Sequence, residues 1–216
     1  MGESSAVRAA LVAGALELAE RGLNTGSAGN LSARTAGGAL ITPSGVEYAE
    51  LAPGDIVEVA PDGAVLSGSG RPSSEWCCHA AVYRQRPEVG AVVHAHSTYC
   101  TALACTGRNI PAFHYMVAVA GGIDIPLVPY ALFGSESLAL AVAAALRDRH
   151  ACLLANHGMF AVGRDLHAAL RLAIEVENLA RQYCEALKIG GVRLLSESQM
   201  REVVARFATY GQHPEP

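Results

Sequence analysis

The chain has 216 residues, of which 51% are apolar and 17% charged, and carries a formal net charge of −4 at neutral pH. This length fits one large domain or two small ones, and the lack of any basic run argues against nucleic acid as the main partner. Every apolar stretch is interrupted by Gly, Pro, His or Arg before it could span a membrane.

The opening "MGESSAVRAALVAGALELAERG" has apolar residues at amphipathic-helix spacing, and Glu17 and Glu20 break up the apolar run that a secretory leader needs. Ala6 stands where a myristoylation motif requires Ser or Thr. A helix is predicted over about 5–22, with Ser4 or Ser5 as cap and Gly22 at its stop. Short extended pieces follow near 30–34, 39–42 and 56–60, separated by Gly and Pro turns. "PSSEWCCHAAVYRQRP" predicts a helix from Ser74 to Arg86, with Ser74 as N-cap and Pro87 beyond its end. Next come a strand at 91–96, a helix at 98–106, a strand at 126–129 and a helix at 135–148 capped by Ser135. "ACLLANHG" and "MFAVG" read as two strands meeting at Gly158, followed by a long helix over 165–188. The last helix, about 196–208, opens on the capping box "SESQ".

There is no internal repeat or linker, and the elements lack the regular rhythm of a doubly wound sheet. The expectation is a single α/β domain over 1–216, with one mixed or largely antiparallel sheet and helices on its faces. Cys77, Cys78, Cys100, Cys105, Cys152 and Cys184 form no CxxC pair and sit among apolar neighbours. They read as small core residues of a cytoplasmic protein.

Chemistry concentrates in a few places. In "VVHAHS", His94 and His96 are two apart and share one face of an extended chain, either as metal ligands or as the wet side of a half-buried strand. His157 in "LLANHGMF" lies at a strand end beside a glycine, where polar side chains tend to face a cleft. Three neutral imidazoles are a favoured shell for Zn²⁺ with positions left for substrate, although Mn, Co, Ni and Fe also accept imidazole. Glu75 in "SSEW" sits where a helix begins, as a first-turn stabiliser or as a general base beside a metal. "GSAGN" (26–30), "TPSG" (42–45) and "PSSE" (72–75) are plain turns taken singly, but such hydroxyls and amides can also cradle a phosphate without a lysine. Neither a P-loop nor GxGxxG is present. His79 is four residues after Glu75 and so on the same helical face, fit for packing, hydrogen bonding or a place behind the site.

In order, "GNLS", "ITPSG", "SSEW…H", "VVHAHS", "HYMVAVAGG", "PYALFGS" and "NHG" resemble the class II aldolase/adducin-head family, from the first helix to "RFATYG". The resemblance implies a three-layer α/β/α fold with a central mixed, largely antiparallel sheet, a Zn²⁺ ion, and a homotetramer with sites between subunits. It makes His94, His96 and His157 the metal ligands and Glu75 the catalytic carboxylate. Ser27, Asn30, Ser44, Gly45, Ser73 and Ser74 become the phosphate pocket, with Ser27 in place of an expected Thr. Tyr115 matches a tyrosine reaching in from the adjacent subunit, Tyr210 a C-terminal tyrosine that closes the site, and Phe133 an aromatic at the aldehyde end.

The implied activity is reversible, metal-dependent cleavage of a ketose 1-phosphate to dihydroxyacetone phosphate and an aldehyde. L-Fuculose 1-phosphate, giving L-lactaldehyde, leads the candidates, with 5-deoxy- and methylthio-pentulose phosphates beside it. Within the family, Glu75 argues against ribulose-5-phosphate 4-epimerases, which usually carry Asp there. "HYM" and "ATYG" argue against methylthioribulose-1-phosphate dehydratases. The intact His–His–His–Glu set argues against a non-enzymatic, adducin-like module.

Overall fold

The computed structural model describes residues 2–207. Among these residues eight strands form one sheet: β1 (Asn30–Arg34), β2 (Ala39–Ile41), β3 (Val57–Val59), β4 (Val65–Ser67), β5 (Ala91–Ala95), β6 (Leu127–Val128), β7 (Ala151–Leu154) and β8 (Gly158–Gly163). Their spatial order is β4-β3-β2-β1-β5-β8-β7-β6. Every pairing is antiparallel except β6 with β7. The expected mixed, largely antiparallel sheet is therefore present.

Among the described residues six α-helices accompany it: α1 (Gly2–Glu20), α2 (Trp76–Gln85), α3 (Thr98–Cys105), α4 (Glu136–Ala145), α5 (Leu166–Ile189) and α6 (Glu197–Phe207). Alternation along the central strands divides them into layers. Leu31, Ala33, Val93, Ala95, Met159 and Ala161 face one core, shared with Leu11, Ala15 and Leu18 of α1, Leu103 of α3 and Ala173 of α5. Val92, Phe160 and Val162 face the other core, with Cys78 and Val82 of α2 and Leu138 and Val142 of α4. Burial on both faces explains why the central strands read as apolar runs rather than as alternating ones.

Several boundaries differ from expectation. α1 already begins at Gly2, so Ser4 and Ser5 lie inside it and neither caps it. α2 begins at Trp76 with Glu75 at its N-cap position, and the side chain that accepts a hydrogen bond there is that of Ser73, from the Glu75 N–H at 3.3 Å. Ser74 therefore does not cap this helix. β7 and β8 are separated by a turn over 155–157 instead of meeting at Gly158. The short edge strand β4 and a 3-10 turn over Tyr115–Ala120 had no clear sequence signal. The Ser135 cap is present, its hydroxyl accepting from the Leu138 N–H at 3.2 Å. The capping box is present too: Gln199 N–H donates to the Ser196 hydroxyl, and Ser196 N–H to the Gln199 side chain.

The junction after β5 carries a long-range cap. Ser97 precedes α3 but makes no side-chain cap bond. Glu177 of α5 instead accepts from the N–H groups of Tyr99 and Cys100, both at 2.9 Å. A carboxylate there offsets the helix dipole and pins the chain just beyond His96. Among the described residues no helix is long and apolar enough to cross a membrane, and all six cysteines are free.

Candidate active site

Four side chains converge on one point. His94 lies on β5 and is fully buried, His96 just follows that strand, His157 ends the β7–β8 turn, and Glu75 precedes α2. One ligand atom from each lies within 4.8 Å of all the others. The Nε2 atoms of His94 and His96 are 2.9 Å apart. Glu75 Oε2 is 3.0 Å from His94 Nε2, and Oε1 is 3.4 Å from His157 Nε2.

Tautomer logic indicates what this cluster is for. His94 Nδ1 is 2.9 Å from the Met159 carbonyl, which can only accept, so the ring proton sits on Nδ1 and Nε2 turns a bare lone pair inward. Glu75 Oε1 is buried without a hydrogen-bond partner. Converging lone pairs beside an orphaned carboxylate oxygen repel one another unless a cation lies between them. The donor set thus fits a divalent transition metal held by three imidazoles, with the carboxylate alongside.

Burial works to raise the Glu75 carboxyl; positive charge on the His94 and His157 side, with the Asn30 N–H, outweighs it and holds the group well below the usual carboxylate range, and with both rings neutral a bound cation would supply that charge. Burial and the neighbouring imidazoles push His96 down to about 4, and burial with His94 also lowers His157. Unprotonated imidazoles are the form that binds metal.

The ligand-bearing backbone is packed tightly. Asn24, behind the site, accepts the His96 N–H at 2.9 Å through its side-chain oxygen. Gly29 has φ +74°, and a Cβ there would lie 2.5 Å from the Asn24 side chain and 2.6 Å from the His94 carbonyl. Gly29→Ala should therefore lower stability by about 2–4 kcal/mol, combining left-handed strain with overpacking. It should also weaken metal retention, which denaturant titration and metal analysis together would check.

A cavity of about 350 Å³ opens beside the cluster. Glu75, His96 and His157 line it together with Ser27, Asn30, Ser44, Gly45, Ser73, Ser74 and Phe133. The structure thus brings the three small-residue loops to one wall. Ser44 and Ser73 spend their N–H groups on the Arg71 and Thr42 carbonyls, so what they can offer a ligand is hydroxyl. Asn30 offers less than expected: its Oδ1 faces His79 Nε2 at 2.5 Å and its Nδ2 donates to Glu75 Oε2 at 3.0 Å, leaving one N–H for the cavity.

Tyr115 does not line this cavity. It is 51% exposed, and its ring stacks on Phe207 at 6.5 Å. Tyr210 lies outside the described residues. Sequence reading passed over Tyr130 and Asn156, which also line the cavity. Asn156 has φ +56°, the one positive value at a non-glycine residue among the described residues. The Asn-His-Gly turn was the signal available for it.

His79 is fully buried, and burial pushes it down to about 3. In the unfolded chain it titrates near 6.5. Between those values the unfolded state binds a proton that the folded state does not, so stability falls as pH falls. The slope should exceed that of His79→Gln by about 1.4 kcal/mol per pH unit between roughly pH 6 and 4, in urea titrations across pH.

A family model described as Class II Aldolase and Adducin N-terminal domain matches residues 9–184. The 5-methylthioribulose-1-phosphate/5-deoxyribulose-1-phosphate aldolase of Rhodospirillum rubrum is 50% identical over 212 residues, covering 98% of this chain and 96% of that one. The L-fuculose phosphate aldolase of Escherichia coli K12 is 47% identical over 197 residues, 91% of each chain. A solved structure of an L-fuculose 1-phosphate aldolase superposes with a TM-score of 0.91 at 38% identity, covering 96% of this chain and all of that one. With the fold, the His–His–His–Glu cluster and these likenesses in agreement, the chain belongs to the class II aldolase and adducin N-terminal domain family.

Proposed function

We propose that the protein is a metal-dependent aldolase that reversibly cleaves a ketose 1-phosphate into dihydroxyacetone phosphate and a short aldehyde. The observation that carries this reading is the convergence of His94, His96, His157 and Glu75 within 4.8 Å at the wall of a hydroxyl-lined cavity. Zinc, held by the three imidazoles, is the metal we assign; when bound it would polarise the substrate carbonyl and stabilise the negative charge that develops on the donor half.

The chain's own residues do the rest. Hydroxyls of Ser27, Ser44, Ser73 and Ser74, with Gly45 and the remaining Asn30 N–H, hold the phosphate and so fix the reacting carbons relative to Glu75. In cleavage the bond between the third and fourth carbons breaks and its electron pair stays on the donor. Glu75 delivers a proton to that third carbon, and in synthesis removes it. Tyr115 of a neighbouring copy exchanges the proton of the aldehyde oxygen, and Tyr210 helps close the site. That assignment makes the working form an oligomer, which we read as a homotetramer, and it accords with the absence of Tyr115 from the lining of its own chain's cavity.

Tyr130 and Phe133, 66% and 62% exposed, give the cavity an apolar rim. Such a rim suits a sugar whose far carbon lacks a hydroxyl. L-Fuculose 1-phosphate, the substrate expected from sequence, meets that condition, as do the 5-deoxy- and 5-methylthio-ribulose phosphates named for the Rhodospirillum relative. Each should be incubated with the protein, with and without chelator, while dihydroxyacetone phosphate is followed by a coupled assay. Chelator-sensitive release from at least one is the expected result, and the highest kcat/KM identifies the aldehyde. No release from any of the three, with metal bound, overturns the reading.

A further inference from the structure

Glu75, His79 and Tyr83 are four residues apart at the start and along one face of α2, while Asn30 and Ser32 are two apart on the β1 face opposite. Four helical residues rise about 6 Å and two strand residues about 6.6 Å, so the two rows can interleave in register. They do. Glu75 Oε2 is 3.0 Å from Asn30 Nδ2, Asn30 Oδ1 is 2.5 Å from His79 Nε2, His79 Nδ1 is 2.7 Å from Ser32 Oγ, and Ser32 Oγ is 2.7 Å from the Tyr83 hydroxyl. All five side chains are buried.

The chemistry fixes the direction of every bond. A carboxylate only accepts, so Asn30 must turn its NH₂ to Glu75 and its oxygen to His79. That oxygen only accepts, so a neutral His79 carries its proton on Nε2. Its bare Nδ1 then takes the Ser32 hydroxyl proton, and the Ser32 oxygen takes that of Tyr83. The chain runs one way, from Tyr83 through Ser32, His79 and Asn30 to Glu75. Burial favours the neutral imidazole this requires.

We propose that His79 is a positioning residue of the catalytic site: by locking the Asn30 amide it aims one N–H at Glu75 and the other at the substrate cavity. Without that lock the amide can turn, placing its oxygen against the carboxylate and repelling both Glu75 and a bound phosphate. The proposal rests on the aldolase reading above, and His79 itself does not line the substrate cavity.

Two measurements on the metal-loaded protein test it. Nitrogen-15 NMR of the imidazoles should find His79 protonated at Nε2 and bare at Nδ1. His79→Leu should keep its metal and lower kcat by roughly 10- to 100-fold, the range seen when outer-shell partners are removed. His79→Gln, whose side-chain N–H reaches the ε position, should recover most of that loss. A wild type that turns over with His79 protonated at Nδ1 overturns the positioning role, as does unchanged kcat in His79→Leu. It is also overturned if both variants lose metal and stability alike, which would mark a packing residue. A wild type with no turnover on any ketose phosphate instead overturns the aldolase reading, and the catalytic role falls with it whichever tautomer is found.

Discussion

Glu75→Gln should lower kcat by about 10²- to 10⁴-fold, the usual contribution of a positioned general acid or base, while leaving metal content at the wild-type level. Gln has the shape of Glu and keeps an oxygen for Asn30 Nδ2, so the polar row between α2 and β1 can persist. The three imidazoles reach the centre from β5 and the β7–β8 turn, independently of residue 75. What disappears is the carboxylate beside the cluster, which can both hold a proton and release it. Metal analysis alongside initial rates decides the matter: a variant that loses its metal would make Glu75 a structural ligand, and one that keeps its rate would move the base elsewhere. The KM for the phosphorylated substrate should change far less than kcat, because the phosphate is assigned to hydroxyls and an amide and not to the carboxylate of residue 75.

Much of this site was legible before the fold was known, for reasons that differ from residue to residue. His94 and His96 announce themselves because a strand places alternate residues on one face, and the surrounding Val and Ala mark the strand as buried. His157 is legible because Gly158 follows it: a Cβ at 158 would lie 2.4 Å from the Ala95 carbonyl, so the turn must sit against the ligand strand. His79 could be placed on the face of Glu75, but the partner row, Asn30 and Ser32, lies 45 or more residues away, and a register between helix and strand is a tertiary fact. The same holds for Glu177, whose capping of α3 spans 77 residues and leaves no local trace. Ser74 misled because Ser-Ser-Glu offers adjacent hydroxyls with equal claim to the cap; the fold uses Ser73 and leaves Ser74 exposed at the cavity. Edge strand β4 was invisible because its pairing with β3 is short and irregular, with only two paired positions.

Chelation should abolish turnover and also lower the thermal midpoint. His94 contributes a lone pair from a fully buried ring whose other nitrogen is committed to the Met159 carbonyl, so it cannot turn away when the cation leaves. His96 Nε2 stays 2.9 Å from it, and Glu75 Oε1 keeps no hydrogen-bond partner. The stripped protein must either protonate one imidazole or spread the cluster, and both work against the packing that Phe160 imposes by stacking on His94 at 4.5 Å. A metal bound at about 100 times its dissociation constant stabilises the native state by about 2.7 kcal/mol. For a chain of this size that corresponds to roughly 5–10 °C. Adding back Zn²⁺ or Co²⁺ should restore both midpoint and activity, since both accept imidazole nitrogen. Mg²⁺ should restore neither, because it seeks oxygen ligands in octahedral array and this centre offers three nitrogens and one carboxylate. Restoration by Mg²⁺ alone, or a midpoint indifferent to chelator, would show that the imidazole cluster is not where the metal acts.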